Sequence, residues 1–362
     1  MYPALAVAQA VRDVRPDVEL DYIGGARGFE RRLVADHPLG GELRYHQLVV
    51  RSLRSAGLSV HTALDPARLA ASVPQAWWVL GRSGAAALFT TGGYLAVPLV
   101  IAARARGIPS LVWEGNVMPG RATRVVGRLA TRVAVSFPPT LDAFPGRSFI
   151  SGTPIRSFDG IDREAARRSW GVGADDRLLV VFGGSQAVTR LNAAVSEALP
   201  RLLADWHVLH VCGEAGMSDA GAARVALPDT MRQRYIPEPF LTDRMADALV
   251  AADLVVGRAG SSTCAELAAS GVASILVPYP YAGAHQRFNA AFMAERDAAV
   301  VVPDAEFTGE RLLRETAALH DDERRIAMGR AARRLARPEA AHTLAVELLA
   351  MAERRPLPLE AA

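Results

Sequence analysis

The chain has 362 residues, enough to bury two domain cores, and with half of them apolar and 22% charged it belongs to the globular class rather than the disordered one. Its net charge of +3 is unevenly spread, +7 in residues 1–150 and −4 in the rest, which places an anionic lipid, nucleotide or nucleic acid beside the first half. Nucleic acid is set aside for want of a motif or basic–aromatic interleaving, and with no apolar run of ~18 residues and no secretory leader pattern the protein is expected to be cytoplasmic.

MYPALAVAQAVRDV reads as a helix with no capping residue in front of it, followed by the strand candidates VELDYIG and ELRYHQLVV. LDPARLAASVPQAWWVLGR is helical and sets Leu69, Val73, Trp77, Trp78 and Leu80 beside Arg68 and Arg82. Adjacent tryptophans cannot both face one core comfortably. Core packing accounts for one of them, and exposure of the other fits contact with a membrane interface. The strands ALFTTGG and PSLVWEG end in Gly92-Gly93-Tyr94 and Glu114-Gly115-Asn116, where Asn116 offers an amide to a substrate. The next helix carries Arg121, Arg124 and Arg128, which form either a solvated face or a basic one suited to a diphosphate acceptor. RVAVSF and RSFISG complete the first half. Every lysine-or-arginine position is arginine, so no lysine can act as base or Schiff-base former.

A seam rich in Gly, Pro and Ser, PGRSFISGTPIRSFDGID, separates residues 1–150 from 151–337, and residues 338–362 form a closing amphipathic helix and tail. The second half repeats the alternation through RLLVVFGGS, WHVLHVCG, QRYIPEPF, LVVGRAG, SILVPYP and AAVVVP. Cys212 and Cys264 lack a partner at metal or redox spacing and read as small core residues in a reducing compartment. Strands alternating with helices make this an α/β chain with two doubly wound parallel sheets, whose ligands bind at the carboxyl ends of the strands.

The loops at those ends carry the chemistry. Gly183-Gly184-Ser185-Gln186 lets backbone N–H groups approach a phosphate, or is simply a tight turn capped by Ser185. Arg258-Ala259-Gly260 runs into Ser261, Ser262 and Thr263, hydroxyls and amides at a helix start that suit a pyrophosphate, with Glu266 one turn deeper to accept a ribose diol. The bland reading of Thr263 and Glu266 is a capping box. His285, Gln286 and Asn289 share one helical face, either as neutral partners for sugar hydroxyls or as a solvated helix start.

These loops in this order resemble the family 28 glycosyltransferases of GT-B fold. The resemblance rests on YPALAVA, YIGGARGFE, GGYLAVPLVIAARARGIP, the E-x-N loop, GTPIR, GGSQ, RAGSSTCAE and HQ-x-x-N, and covers nearly the whole chain. It implies two Rossmann-like domains facing across a cleft, residues 1–150 meeting the acceptor and the membrane and residues 151–337 binding a UDP-sugar. The donor implied is UDP-N-acetylglucosamine, and the acceptor is undecaprenyl-linked lipid I of peptidoglycan synthesis. An anionic inner-leaflet membrane surface is the implied partner, with no metal or other cofactor and no nucleic acid. By the same resemblance Asn116 meets the donor sugar, Arg156 and Ser185 bind the donor, and the backbone of Leu241 reads the uracil. Ser261, Ser262 and Thr263 hold the diphosphate, Glu266 the ribose, and His285, Gln286 and Asn289 face the sugar.

The mechanism implied is a metal-independent inverting displacement with UDP as leaving group. Family members place a strand and a GGTGGH loop before the PALAVA helix, and the loop histidine is their candidate catalytic residue. This chain begins after that position, an arrangement attributed to a start placed one segment late, so no catalytic residue is assigned; His46 and His61 are not promoted to the role. The E-x-N loop also departs from the family's His-Glu-Gln-Asn, reading Trp113-Glu114-Gly115-Asn116. Competing expectations are a transferase for another lipid acceptor, a UDP-N-acetylglucosamine 2-epimerase of similar two-domain plan, and a catalytically impaired donor-binding protein.

Overall fold

A computed structural model of the chain describes residues 2–25, 31, 34–48, 60–183, 189–280 and 285–361, with the side chains of 60–70 excepted. It divides into two compact units, Met1–Ile155 with Pro338–Ala362, and Arg156–Arg337.

In the first unit α1 (Tyr2–Val14) leads to β1 (Asp21–Gly25), which pairs in parallel with β2 (Arg44–Leu48). A second ladder joins β3 (Leu88–Thr90), β4 (Ser110–Glu114), β5 (Arg132–Val135) and β6 (Ser148–Ile150) in that order, all parallel. The sequence led to one sheet in this half. Among the described residues the two ladders instead share no hydrogen-bonded edge. They are joined by packing: Leu48 of β2 lies in one apolar cluster with Leu88, Val112, Val133 and Val135, together with Ala76, Val79 and Leu80 of α2 (Val60–Arg82) and Leu99, Val100 and Ala103 of α3 (Ala96–Ala105). Helix α4 (Arg121–Leu129) follows β4.

The opposite face is covered by α1, whose Val7, Ala10 and Val11 recur at helical spacing, and by the last helix, α14 (Ala340–Ala352). Both pack on Leu111 and Trp113 of β4 and on Ala134 of β5. Under α14 the buried Arg132 Nη1 stands 2.7 Å from the buried Glu347 Oε1, a close ion pair whose geometry makes no hydrogen bond. The closing helix thus belongs to the first unit, returning to it after the second.

The strands of the second unit are β7 (Leu178–Phe182), β8 (His207–Val211), β9 (Tyr235–Glu238), β10 (Leu254–Gly257), β11 (Ala273–Leu276) and β12 (Val300–Val301). Among the described residues they form a single sheet in the order β12-β11-β10-β7-β8-β9, parallel throughout. β7, β8, β10 and β11 are buried along their whole length, which is why they read as mostly apolar without strict alternation, β8 carrying His207 and His210 and β11 Ser274 as buried polar residues. The unit opens on α5 (Arg163–Ser169), capped by Asp162, and the long helix α6 (Thr189–Asp205) lays Leu191, Ala194, Val195, Ala198, Leu199 and Leu202 on the sheet. Helices α7 (Met217–Ala226), α8 (Asp229–Arg232) and α9 (Met245–Ala251) connect β8 to β10, α10 (Ser261–Ser270) and α11 (His285–Ala294) follow β10 and β11, and α12 (Gly309–Ala318) and α13 (Asp322–Arg333) close the unit. Strand order reverses between β7 and β10, and the carboxyl edge at such a switch point is where parallel sheets of this kind bind ligands.

Candidate functional site

Two loops leave the switch point. The one after β7 carries Gly184, Ser185 and Gln186, which lie outside the described residues. The one after β10 runs through Arg258 and Ala259 to Gly260 and into α10. Gly260 is extended and serves as the N-cap, with no side-chain capping bond, so the helix begins at Ser261 and not at Thr263. A capping box between Thr263 and Glu266 is therefore ruled out. The first-turn amides of Ser261, Ser262 and Thr263 have no intrahelical acceptor, and with the helix dipole they form an anion-binding end.

One turn deeper, Glu266 is 8% exposed. Its Oε1 accepts from Arg156 Nε at 2.9 Å, while Arg156 Nη1 donates to Thr242 O at 2.5 Å. Among the described residues Oε2 makes no hydrogen bond. Burial raises the carboxyl of Glu266 above its ordinary value, and Arg156 pulls it back in part. Arg156 also anchors the segment after β9, where Leu241 is buried.

Helix α11 begins with the neutral polar trio. Gln286 Oε1 accepts from the backbone N–H of Ala259 at 3.2 Å and of Tyr279 at 2.9 Å. Asn289 is fully buried and its Nδ2 donates to Ala259 O at 3.1 Å. These amides grip the loop after β10 from behind. Since the oxygen of Gln286 is already shared by two donors, a ligand meeting this side chain finds the NH2 group. His285 sits half-buried at the helix start.

In the first unit, Glu114 ends β4 and is 4% exposed. Its Oε1 accepts from Asn116 N at 2.9 Å and Asn116 Nδ2 at 3.0 Å, and its Oε2 from Gly120 N at 3.1 Å. The carboxylate folds the loop around itself and fixes which way the Asn116 amide points. Thr140 Oγ1 adds hydrogen bonds to the carbonyls of Asn116 and Val117. Sequence reasoning named Asn116 and passed over Glu114; the signal was an acidic residue closing an otherwise apolar strand. Gly92, at φ +76°, could not be replaced without a Cβ 2.6 Å from Thr123 Oγ1, so the loop after β3 is pinned to α4. Arg121, Arg124 and Arg128 are all exposed on that helix.

His46 bonds Asp21 Oδ1 at 2.7 Å. Asp21 opens β1, at the amino edge of the ladder and away from the edge that binds ligands. The side chain of His61 lies outside the described residues. On α2, Trp77 and Trp78 are 41% and 60% exposed, and the buried face is formed by Ala76, Val79 and Leu80. Both tryptophans thus stand outside the core, where core packing was expected for one. Arg106 lies over the Trp77 ring at 4.4 Å and Arg82 over the Trp78 ring at 5.3 Å.

The glycosyltransferase family 28 N-terminal domain matches residues 1–135, and the family 28 C-terminal domain matches residues 178–344. The chain belongs to glycosyltransferase family 28. Two family relatives are each a UDP-N-acetylglucosamine--N-acetylmuramyl-(pentapeptide) pyrophosphoryl-undecaprenol N-acetylglucosamine transferase. The one from Desulforudis audaxviator is 36% identical, over 94% of this chain and 92% of the relative. The one from Salinibacter ruber is 36% identical, over 98% and 94%. Among solved structures, MurG of Acinetobacter baumannii superposes with a TM-score of 0.76 at 27% identity, over 96% of this chain and 95% of that one. A putative UDP-N-acetylglucosamine 2-epimerase from Listeria monocytogenes, at TM-score 0.63 and 12% identity over 94% and 98%, shares the fold alone. The GT-B fold of this family 28 chain, two Rossmann-like parallel-sheet units, agrees with the expectation from its loops.

Proposed function

We propose that this chain transfers N-acetylglucosamine from UDP-N-acetylglucosamine to lipid I, the undecaprenyl-pyrophosphoryl-N-acetylmuramoyl-pentapeptide, giving lipid II for peptidoglycan synthesis. The observation that carries the reading is identity of 36% over at least 94% of the chain to relatives with that activity. Its physical support is the α10 amino end at a topological switch point, with Glu266 one turn behind it.

In this reading the β-phosphate of UDP rests on the amides of Ser261 to Thr263 and on the loop carrying Ser185, and the ribose diol donates to Glu266 Oε2. An acceptor hydroxyl, losing its proton to a base, attacks the anomeric carbon from the face opposite UDP. The bond from that carbon to the β-phosphate oxygen breaks and its electron pair leaves with UDP, which inverts the anomeric configuration. Negative charge grows on the diphosphate as that bond breaks, and fixed amides and a helix dipole stabilise it without reorganising. The leaving group then needs no metal. Asn116, oriented by Glu114, presents its amide to substrate in the first unit.

The lipid acceptor calls for a membrane contact, and the exposed Trp77 and Trp78 with Arg82 and Arg106 stacked on them have the chemistry of an anionic bilayer interface. No helix among the described residues is long and apolar enough to cross a membrane. The protein then works in the cytoplasm, peripheral on the inner face of the cell membrane.

Purified chain incubated with UDP-N-acetylglucosamine and a lipid I analogue should release UDP only when the acceptor is present. Free N-acetylmannosamine would place it with the epimerases instead. UDP binding without turnover would leave it a donor-binding protein.

A further inference from the structure

One carboxylate ties the loops of the second unit's carboxyl edge together. Asp304 stands three residues past β12 with its side chain mostly buried. Its Oδ1 accepts from Arg258 Nη1 at 2.5 Å, and its Oδ2 pairs with Arg190 Nε at 3.0 Å. Arg258, which follows directly on β10, is 5% exposed. The same Nη1 donates to Val277 O at 3.1 Å, just past β11, and the guanidinium lies 5.4 Å from the centre of the Tyr279 ring. Arg190 is the second residue of α6, the helix entered from the loop after β7, and its side chain is about half exposed. Asp304 thereby connects the exits of β12, β11 and β10, three neighbours in the sheet, with the amino-terminal turn of α6.

We propose that Asp304 is a positioning residue for the donor diphosphate. It holds Arg258, and through it the turn that aims the α10 amides, and it ties that turn to Arg190 of α6. The proposal rests on the reading of this edge as the UDP-sugar site.

The chemistry requires a carboxylate. A guanidinium as deeply buried as that of Arg258 needs a counter-charge as well as acceptors. Two arginines arriving from different elements each take a charged oxygen of the one carboxylate, whereas an asparagine would leave them a single neutral oxygen and no counter-charge. Two cations against one anion leave the trio with one net positive charge at the edge where an anionic leaving group would sit. Gln286 and Asn289 hold Ala259 from the side of α11. Asp304 is the corresponding hold from the side of β12, and it extends to α6 as well.

Titration calorimetry with UDP and steady-state rates with UDP-N-acetylglucosamine and a lipid I analogue, on the full chain, test this. Asp304→Asn should weaken UDP binding by about tenfold or more and raise donor KM in proportion, while acceptor KM changes by less than about twofold. Asp304→Glu should recover part of the loss. Arg190→Met, altering only a half-exposed side chain, should give a smaller loss of the same kind, and its effect should largely vanish in the Asp304→Asn background. Unchanged UDP affinity in both single variants overturns the proposal, as does an acceptor KM that rises as much as the donor KM. Should Asp304→Asn fail to fold, Arg190→Met and its donor-over-acceptor split decide alone. A wild-type chain that binds UDP but shows no acceptor-dependent UDP release defeats the transferase reading and leaves the calorimetric comparison intact.

Discussion

Arg156 and Glu266 lie 110 residues apart in sequence and 2.9 Å apart in space, so the arginine that begins the second unit neutralises the buried carboxylate one turn inside α10. Glu266→Gln keeps the shape and removes the charge that strengthens a diol hydrogen bond. UDP affinity in calorimetry should fall by about 10- to 100-fold with the fold intact by circular dichroism. Because burial raises this carboxyl, the native state holds its proton more tightly than the unfolded chain does. Its contribution to stability therefore declines as pH rises from the unfolded value to the folded one and is flat above that. UDP binding moves the other way, weakening as pH is lowered through the raised value, and Glu266→Gln should abolish that dependence.

Glu114 accepts three hydrogen bonds within its own loop while nearly buried. Glu114→Ala removes the acceptor that Asn116 N, Asn116 Nδ2 and Gly120 N share and loosens the hold on the Asn116 amide. A stability loss of about 1–3 kcal/mol in urea melts and a fall in kcat are expected, while UDP affinity, assigned to the second unit in the proposed function, should stay as in the wild type. A loss of UDP affinity equal to the loss in kcat would remove Glu114 from the role.

Neutral His210 is held in the second core between Tyr235 Oη at 2.9 Å and Asn192 Oδ1 at 3.0 Å, and burial pulls its pKa down to about 4. Below the ordinary histidine value the unfolded chain takes up a proton that the native chain refuses. Stability should thus fall as pH drops from about 6.5 to about 4, by up to roughly 3 kcal/mol, and level off below that. His207, also drawn down by burial, adds with the same sign. Urea melts across this range should show a shallower pH slope in His210→Gln than in the wild type.

Glu347 and Arg132 form a buried pair without hydrogen-bond geometry, which suits a site where desolvation outweighs attraction. Glu347→Ala should cost about 3–5 kcal/mol by leaving Arg132 without its counter-charge, whereas combining Glu347→Leu with Arg132→Met should recover most of that loss. A double variant as unstable as the single one would show that the pair specifies how α14 docks.

Trp77 and Trp78 lie on the exposed side of α2, opposite Ala76, Val79 and Leu80. Replacing both with Ser should leave the thermal midpoint nearly unchanged and reduce cosedimentation with phosphatidylglycerol vesicles several-fold. Equal binding by the variant would remove this face from the membrane contact.

Most strands were legible because they are apolar, β-rich runs bounded by Gly, Pro or polar residues, and burial on both faces leaves such runs free of alternation, as in LLVVF. The positions of the loops at their carboxyl ends were legible too, since an apolar run that stops at glycine or polar residues marks where a strand ends. Local pattern could not choose between a capping box at Thr263 and a free amino end. That depended on Gly260 taking the N-cap position. Nor could it tell that Gln286 and Asn289 grip Ala259, that Glu114 orients Asn116, or that both tryptophans face outward. The sequence by itself determined the α/β class and the succession of strands along the chain, because hydrophobic period and turn residues are local properties. Tertiary structure alone decided which side chains spend their hydrogen bonds on one another and which remain for a ligand. Partners such as Arg156 and Glu266, or Asp304 and Arg190, meet only when distant segments are brought together by the sheet.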